Sequence, residues 1–133
     1  WGAALAPTGE VVFAPNEAPT VGIYDPVADT YRTGPVHGEG SNAFAGATVS
    51  PTGKVVFGPA SSGVVGIYDP VADTYLSGPN VHGGGGTFAG AALTQGGEVV
   101  FAPFSSSVVG CYGEFAELSV PRGSAVHPLV NSS

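Results

Sequence analysis

Shifted by 44 residues, this chain falls on itself: Val21 to Tyr31 reads Val-Gly-Ile-Tyr-Asp-Pro-Val-Ala-Asp-Thr-Tyr, and Val65 to Tyr75 reads the same eleven residues. A match of that length does not arise by chance. The shift also pairs Gly9 with Gly53 and Gly97, Val11-Val12-Phe13 with Val55-Val56-Phe57 and Val99-Val100-Phe101, and Pro15 with Pro59 and Pro103. Three units follow, 1–44, 45–88 and a degenerate 89–133 that keeps the pattern through Gly110 and Tyr112 and then loses it in a C-terminal tail. A chain built this way buries its apolar faces by stacking one unit on the next, and near-identical copies one and two with a decayed third fit an array ending in a cap.

Turn chemistry divides each unit into four short strands. In the first copy they are expected at Gly2 to Ala6, Glu10 to Ala14, Val21 to Tyr24 and Thr30 to Thr33. Pro7-Thr8-Gly9, a loop through Pro19 and the Asp25-Pro26 turn separate them. The Val-Val-Phe run is continuously apolar, which suits a strand covered on both faces. Helical periodicity is absent, and frequent Gly and Pro would break it. The class is all-β: about three four-stranded antiparallel sheets of about 44 residues each.

Val55-Val56-Phe57-Gly58-Pro59 followed by Val65 to Tyr75 resembles the kelch repeat, with its apolar strand ending in glycines and its Tyr-Asp-Pro turn leading to an aromatic. The likeness covers nearly the whole chain. The paired glycines are replaced by Ala14-Pro15, Gly58-Pro59 and Ala102-Pro103, and Tyr31 and Tyr75 stand where many kelch units carry Trp. The resemblance implies β-propeller blades. Propellers close with about four to eight blades, so three leave two apolar faces to be covered. The cover would be a longer array, a second copy or another protein.

Arg32, Lys54 and Arg122 are the only strong bases against ten acids, giving a net charge of −7. Nucleic-acid binding needs clustered cations to release counterions, so it is excluded, and no apolar run reaches the roughly 18 residues of a spanning helix. Trp1 opens directly on a repeat, so the N-terminus reads as processed or cut from a longer protein. Cys111 is the single cysteine; it rules out an internal disulfide and reads as a small buried hydrophobe in the place of Ile23 and Ile67.

The candidate site residues are loop and turn side chains. Asp25 and Asp29, with Asp69 and Asp73, flank a Pro-Val-Ala turn and offer oxygens to a hard cation, but Asp before Pro more commonly closes an Asx turn, and calcium wants about six or more oxygens. His37 and Glu39 recur in part at His82, one residue out of register, as candidate ligand-binding loops. Kelch-like propellers include copper radical oxidases; Cys111 and Tyr112 are adjacent on a strand and point to opposite faces, which argues against a thioether partnership. Gly83 to Gly86 lacks the Lys-Ser/Thr and the helix of a phosphate loop and reads as a linker. Asn131-Ser132-Ser133 is a glycosylation sequon, and Val120 to Ser124 resembles a thrombin site.

These features give an expectation of a non-enzymatic structural module, extracellular or at the cell surface, with no cofactor and no metal. Its partners would be proteins, through self-association or neighbouring blades of a longer chain. The alternative is a glycan-binding propeller with one loop site per blade.

Overall fold

The computed structural model describes residues 2–80, 88–113 and, as backbone, 126–128. Among these residues twelve strands run in chain order: β1 Ala3–Leu5, β2 Val11–Phe13, β3 Thr20–Asp25, β4 Thr30–Val36, β5 Phe44–Val49, β6 Val55–Pro59, β7 Val64–Asp69, β8 Thr74–Asn80, β9 Phe88–Leu93, β10 Glu98–Pro103, β11 Val108–Gly113 and β12 Val126–Pro128. They form three antiparallel meanders, β1-β2-β3-β4, β5-β6-β7-β8 and β9-β10-β11-β12. Among the described residues no helix occurs.

Local chemistry closes the hairpins. The Ala6 N–H donates to the Glu10 carbonyl at 2.8 Å and the Gly9 N–H to the Ala6 carbonyl at 2.9 Å, with Gly9 at a φ of 92° that an L side chain resists. At the other turn of blade 1 the Asp25 carboxylate accepts the N–H groups of Val27 at 2.9 Å and Ala28 at 3.2 Å, and Asp69 does the same for Val71 and Ala72 at 3.0 and 3.1 Å. Asp25 and Asp69 are therefore Asx-turn residues, the commoner of the two readings of their sequence. No group of three or more potential metal-ligating side chains occurs among the described residues.

The core lies between sheets. One seam packs Val12, Val21 and Ile23 of the first blade on Phe44, Val55, Phe57 and Tyr68 of the second. The next seam repeats it with Val56, Val65 and Ile67 against Phe88, Val99 and Phe101. Successive residues of β6 thus serve opposite seams, Val55 and Phe57 facing blade 1 and Val56 facing blade 3, and all three are wholly buried. The apolar run is matched by two-sided burial in the middle blade. In β2, Phe13 is 37% exposed, and in β10 Val100 is half-buried, because each looks away from the other two sheets. Cys111 is buried on β11, and burial pushes its thiol pKa up, as for a packing residue.

Two boundaries differ from the sequence expectation. The outer strand β4 continues past Thr33 to Val36, since a register shift between Thr20 and Gly22 lets pairing resume at Thr20 with Val36. In the third sheet Val108 pairs with Pro128, whereas its counterpart Val64 pairs with Asn80, so the closing strand comes four residues later than the repeat places it. Loss of the pattern after Tyr112 had hidden that strand.

Candidate functional site

The first two meanders send the turns after their first and third strands to one end and the loop after their second strand, with the crossing from the first sheet to the second, to the other. Hydrogen bonds tie the second set together. The Phe44 N–H donates to the Pro15 carbonyl and the Ala43 N–H to the Asn16 carbonyl, both at 3.1 Å, while Asn16 Nδ2 donates to the Phe44 carbonyl at 3.0 Å. From the second blade, the Ala60 N–H reaches the Ala43 carbonyl at 2.9 Å and the Ser61 N–H the Asn42 carbonyl at 2.8 Å. At this end of the inner strands a cleft of about 230 Å³ opens, lined by Asn16, Asn42, Ala45, Ala60, Ser61, Phe88, Ala89 and Phe104. Asn16, Ala60 and Phe104 occupy one and the same position in the three copies.

The copies differ where the cleft is. Residues 16–20 read Asn-Glu-Ala-Pro-Thr and their counterparts 60–64 read Ala-Ser-Ser-Gly-Val, with no position shared. At the opposite end, Pro7-Thr8-Gly9 recurs as Pro51-Thr52-Gly53, and residues 24–31 recur unchanged as 68–75. The sequence held this signal. It becomes a site only when the divergent loops are seen to share one end of the molecule, which is why Asn16, Asn42, Ser61 and Phe104 were missed.

His37 and Glu39, taken from the sequence as ligand-binding candidates, lie in the crossing from blade 1 to blade 2. The His37 ring is buried and both of its nitrogens are engaged: Nε2 donates to the Ala18 carbonyl at 2.8 Å, and Nδ1 accepts the Glu39 N–H at 3.0 Å. These partners select the Nε2–H tautomer. The ring stands edge-on to Phe44 and Tyr75, with centroids 5.6 and 6.1 Å away. The Glu39 carboxylate accepts the hydroxyls of Ser77 and, at 3.4 Å, Tyr75. Burial first, and then the Glu39 charge, push the Tyr75 phenol well above its ordinary range. Both residues latch the crossing onto β8. His82 and Asn131 lie outside the described residues.

At the turn end, Arg32 clasps the first two blades. Its guanidinium lies 3.2 Å from Asp73 and 3.7 Å from Glu10, and the Tyr68 hydroxyl donates to the same Asp73 oxygen at 2.6 Å. At the next seam Lys54 and Leu76 stand in the places of Glu10 and Arg32, and a cleft of about 180 Å³ remains. Tyr68's hydroxyl, and after it Arg32, hold the Asp73 carboxyl below its usual range, while burial and the Asp73 hydrogen bond push Tyr68 up to about 12.

The clasp's pH dependence follows from these shifts. A depressed carboxyl stabilises the fold above its unfolded pKa and loses that contribution as pH falls through the folded one. A raised phenol contributes fully below its unfolded value of 10.0 and loses it as pH rises towards about 12. The urea midpoint should drop at both extremes. Asp73→Asn should flatten the acid limb and Tyr68→Phe the alkaline one; unchanged limbs in these variants would show that the clasp does not couple to folding.

No family model matches the sequence and no curated protein does, so the kelch resemblance rests on the residues quoted for it. Among solved structures, selenomethionine-substituted virginiamycin B lyase from Staphylococcus aureus matches with a TM-score of 0.73 at 11% identity, over 84% of this chain and 37% of that one. A catalytically inactive variant of the same lyase, solved with quinupristin, matches with a TM-score of 0.77 at 10% identity, over 95% of this chain and 40% of that one. The chain has the β-propeller fold. It spans about two fifths of the length of these propellers. The expectation of a non-enzymatic assembly module, with a glycan-binding propeller as its alternative, is overturned here. The two solved propellers named above are those of an enzyme, and no comparison shows an assembly role.

Proposed function

We propose that this chain supplies part of the small-molecule binding face of an enzymatic propeller, and that the face is the loop end around the central cleft. The observation that carries the reading is that the first two copies share no residue across 16–20 and 60–64 at that end, while both hairpin turns of the opposite end, Pro-Thr-Gly and residues 24–31, recur unchanged between them. A single asymmetric ligand seated where three equivalent loops converge meets each copy differently, so the positions that touch it must differ. Turns that only build the blade are free to stay identical, as residues 24–31 and 68–75 do. The lining of amides, a hydroxyl and aromatic rings is of the kind that orients a bound organic molecule.

The solved neighbours are lyases named for one organic substrate, virginiamycin B. That makes an enzyme the class to test. In the cleft, Asn16, Asn42 and Ser61 would hold and orient a ligand between Phe88 and Phe104, leaving proton transfer to other groups. A fragment screen read by amide chemical shifts is the direct experiment. Hits should perturb residues 14–19, 37–43 and 60–63 together; hits gathered at the Asp25 and Asp69 turns, or none at millimolar concentration, would overturn the reading.

A further inference from the structure

We infer that the central cleft receives one uncharged aromatic group carrying an amide, an inference that rests on the loop end being the binding face. Phe104 supplies the platform. Its ring is 77% exposed on the cleft wall, where the other copies carry Asn16 and Ala60. Rings in offset or edge-to-face contact gain roughly 0.5–1.5 kcal/mol beyond the area they bury. Phe88, almost fully buried, backs the same cleft from the start of β9.

The polar partners suit an amide. Asn16 Nδ2 is committed to the Phe44 carbonyl, which fixes the carboxamide and leaves Oδ1 as an acceptor without a hydrogen bond among the described residues. The Asn42 side chain makes no hydrogen bond among the described residues and offers both a donor and an acceptor. An amide brings the complementary pair.

Charge and size narrow the class. No residue lining the cleft among those described is ionisable, so an ionised group entering it would leave water without a counter-charge, which is costly. Long-range attraction of cations to a chain of net charge −7 is screened beyond about 8 Å at physiological salt. The cleft, at about 230 Å³, is below the roughly 300–1,000 Å³ that holds a whole drug-sized ligand. One ring with its amide fits that space.

Titrating the chain with N-acetylphenylalaninamide, N-acetylphenylalanine and phenethylamine tests this, read on the side-chain amide signals of Asn16 and Asn42. The neutral compound should saturate both signals about fivefold more tightly than either ion, and Phe104→Ala should weaken it by about fivefold, the loss of one stacking contact. Should an ion bind these signals as tightly, the uncharged class falls while the loop-end reading stands. Should none of the three move them although fragments bind elsewhere on that end, the assignment to this cleft falls. Binding only at the opposite turns would sink both readings.

Discussion

Gly46→Ala should destabilise the fold by roughly 2–5 kcal/mol, the sum of a left-handed backbone penalty and an overpacking penalty. Gly46 sits on the inner strand β5 at a φ of 86°, and a Cβ there would stand 2.3 Å from the Gly90 Cα and 2.6 Å from the Gly90 nitrogen on β9. The obstacle is backbone, so no side-chain rotation relieves it. Gly90 is at the equivalent position with a φ of 94°, yet a Cβ there meets nothing within 4 Å among the described residues. Gly9, at a φ of 92° in a turn, is equally open. Gly90→Ala and Gly9→Ala should therefore cost only the backbone share, about 1–2 kcal/mol. Urea unfolding of the three variants separates the two contributions. Equal losses would mean that the inner strands do not approach as closely as described.

That close approach explains a feature of the repeat. Gly2, Gly46 and Gly90 recur at the 44-residue spacing, all with positive φ, where the inner strands of neighbouring sheets come together. Converging blades leave least room at their inner edges, so glycine at Gly2 and Gly46, where a Cβ would stand 2.7 and 2.3 Å from the next sheet's backbone, is a packing requirement as well as a conformational one.

Much of the architecture was readable from residues alone because it rests on local chemistry that recurs from copy to copy. The Asx turns at Asp25 and Asp69 and the two-sided burial of Val55, Val56 and Phe57 followed from turn preferences and an apolar run. The site was less accessible. His37 and Glu39 drew attention as a polar, glycine-flanked pair, but such a pair serves a latch as well as a ligand, and only the buried ring with two engaged nitrogens distinguishes them. Asn16, Ser61 and Phe104 belong to loops that contribute to one cleft only after three sheets have stacked. The Arg32 clasp joins residues 41 apart in sequence across a seam, a distance over which spacing carries no signal. The closing strand of the third sheet escaped because it lies beyond the point where the repeat breaks.

Phe57→Ala should cost about 3–5 kcal/mol, the usual range for emptying a buried phenylalanine site. Phe57 is wholly buried, packed at the first seam against Phe44 with ring centroids 5.6 Å apart. Its counterpart Phe13 follows the same Val-Val pair but is 37% exposed, touching Tyr31 at 6.5 Å between ring centroids. Truncating Phe13 removes less burial and leaves no enclosed cavity, so Phe13→Ala should cost about 1 kcal/mol. The two substitutions delete the same atoms from equivalent positions, and what differs is whether another sheet lies over the ring. Guanidinium unfolding of both variants thus measures the stabilisation that a neighbouring blade brings to this position. A loss at Phe13 equal to that at Phe57 would show that the outer face of the first sheet is covered in solution, and a small loss at Phe57 would contradict the first seam as the core.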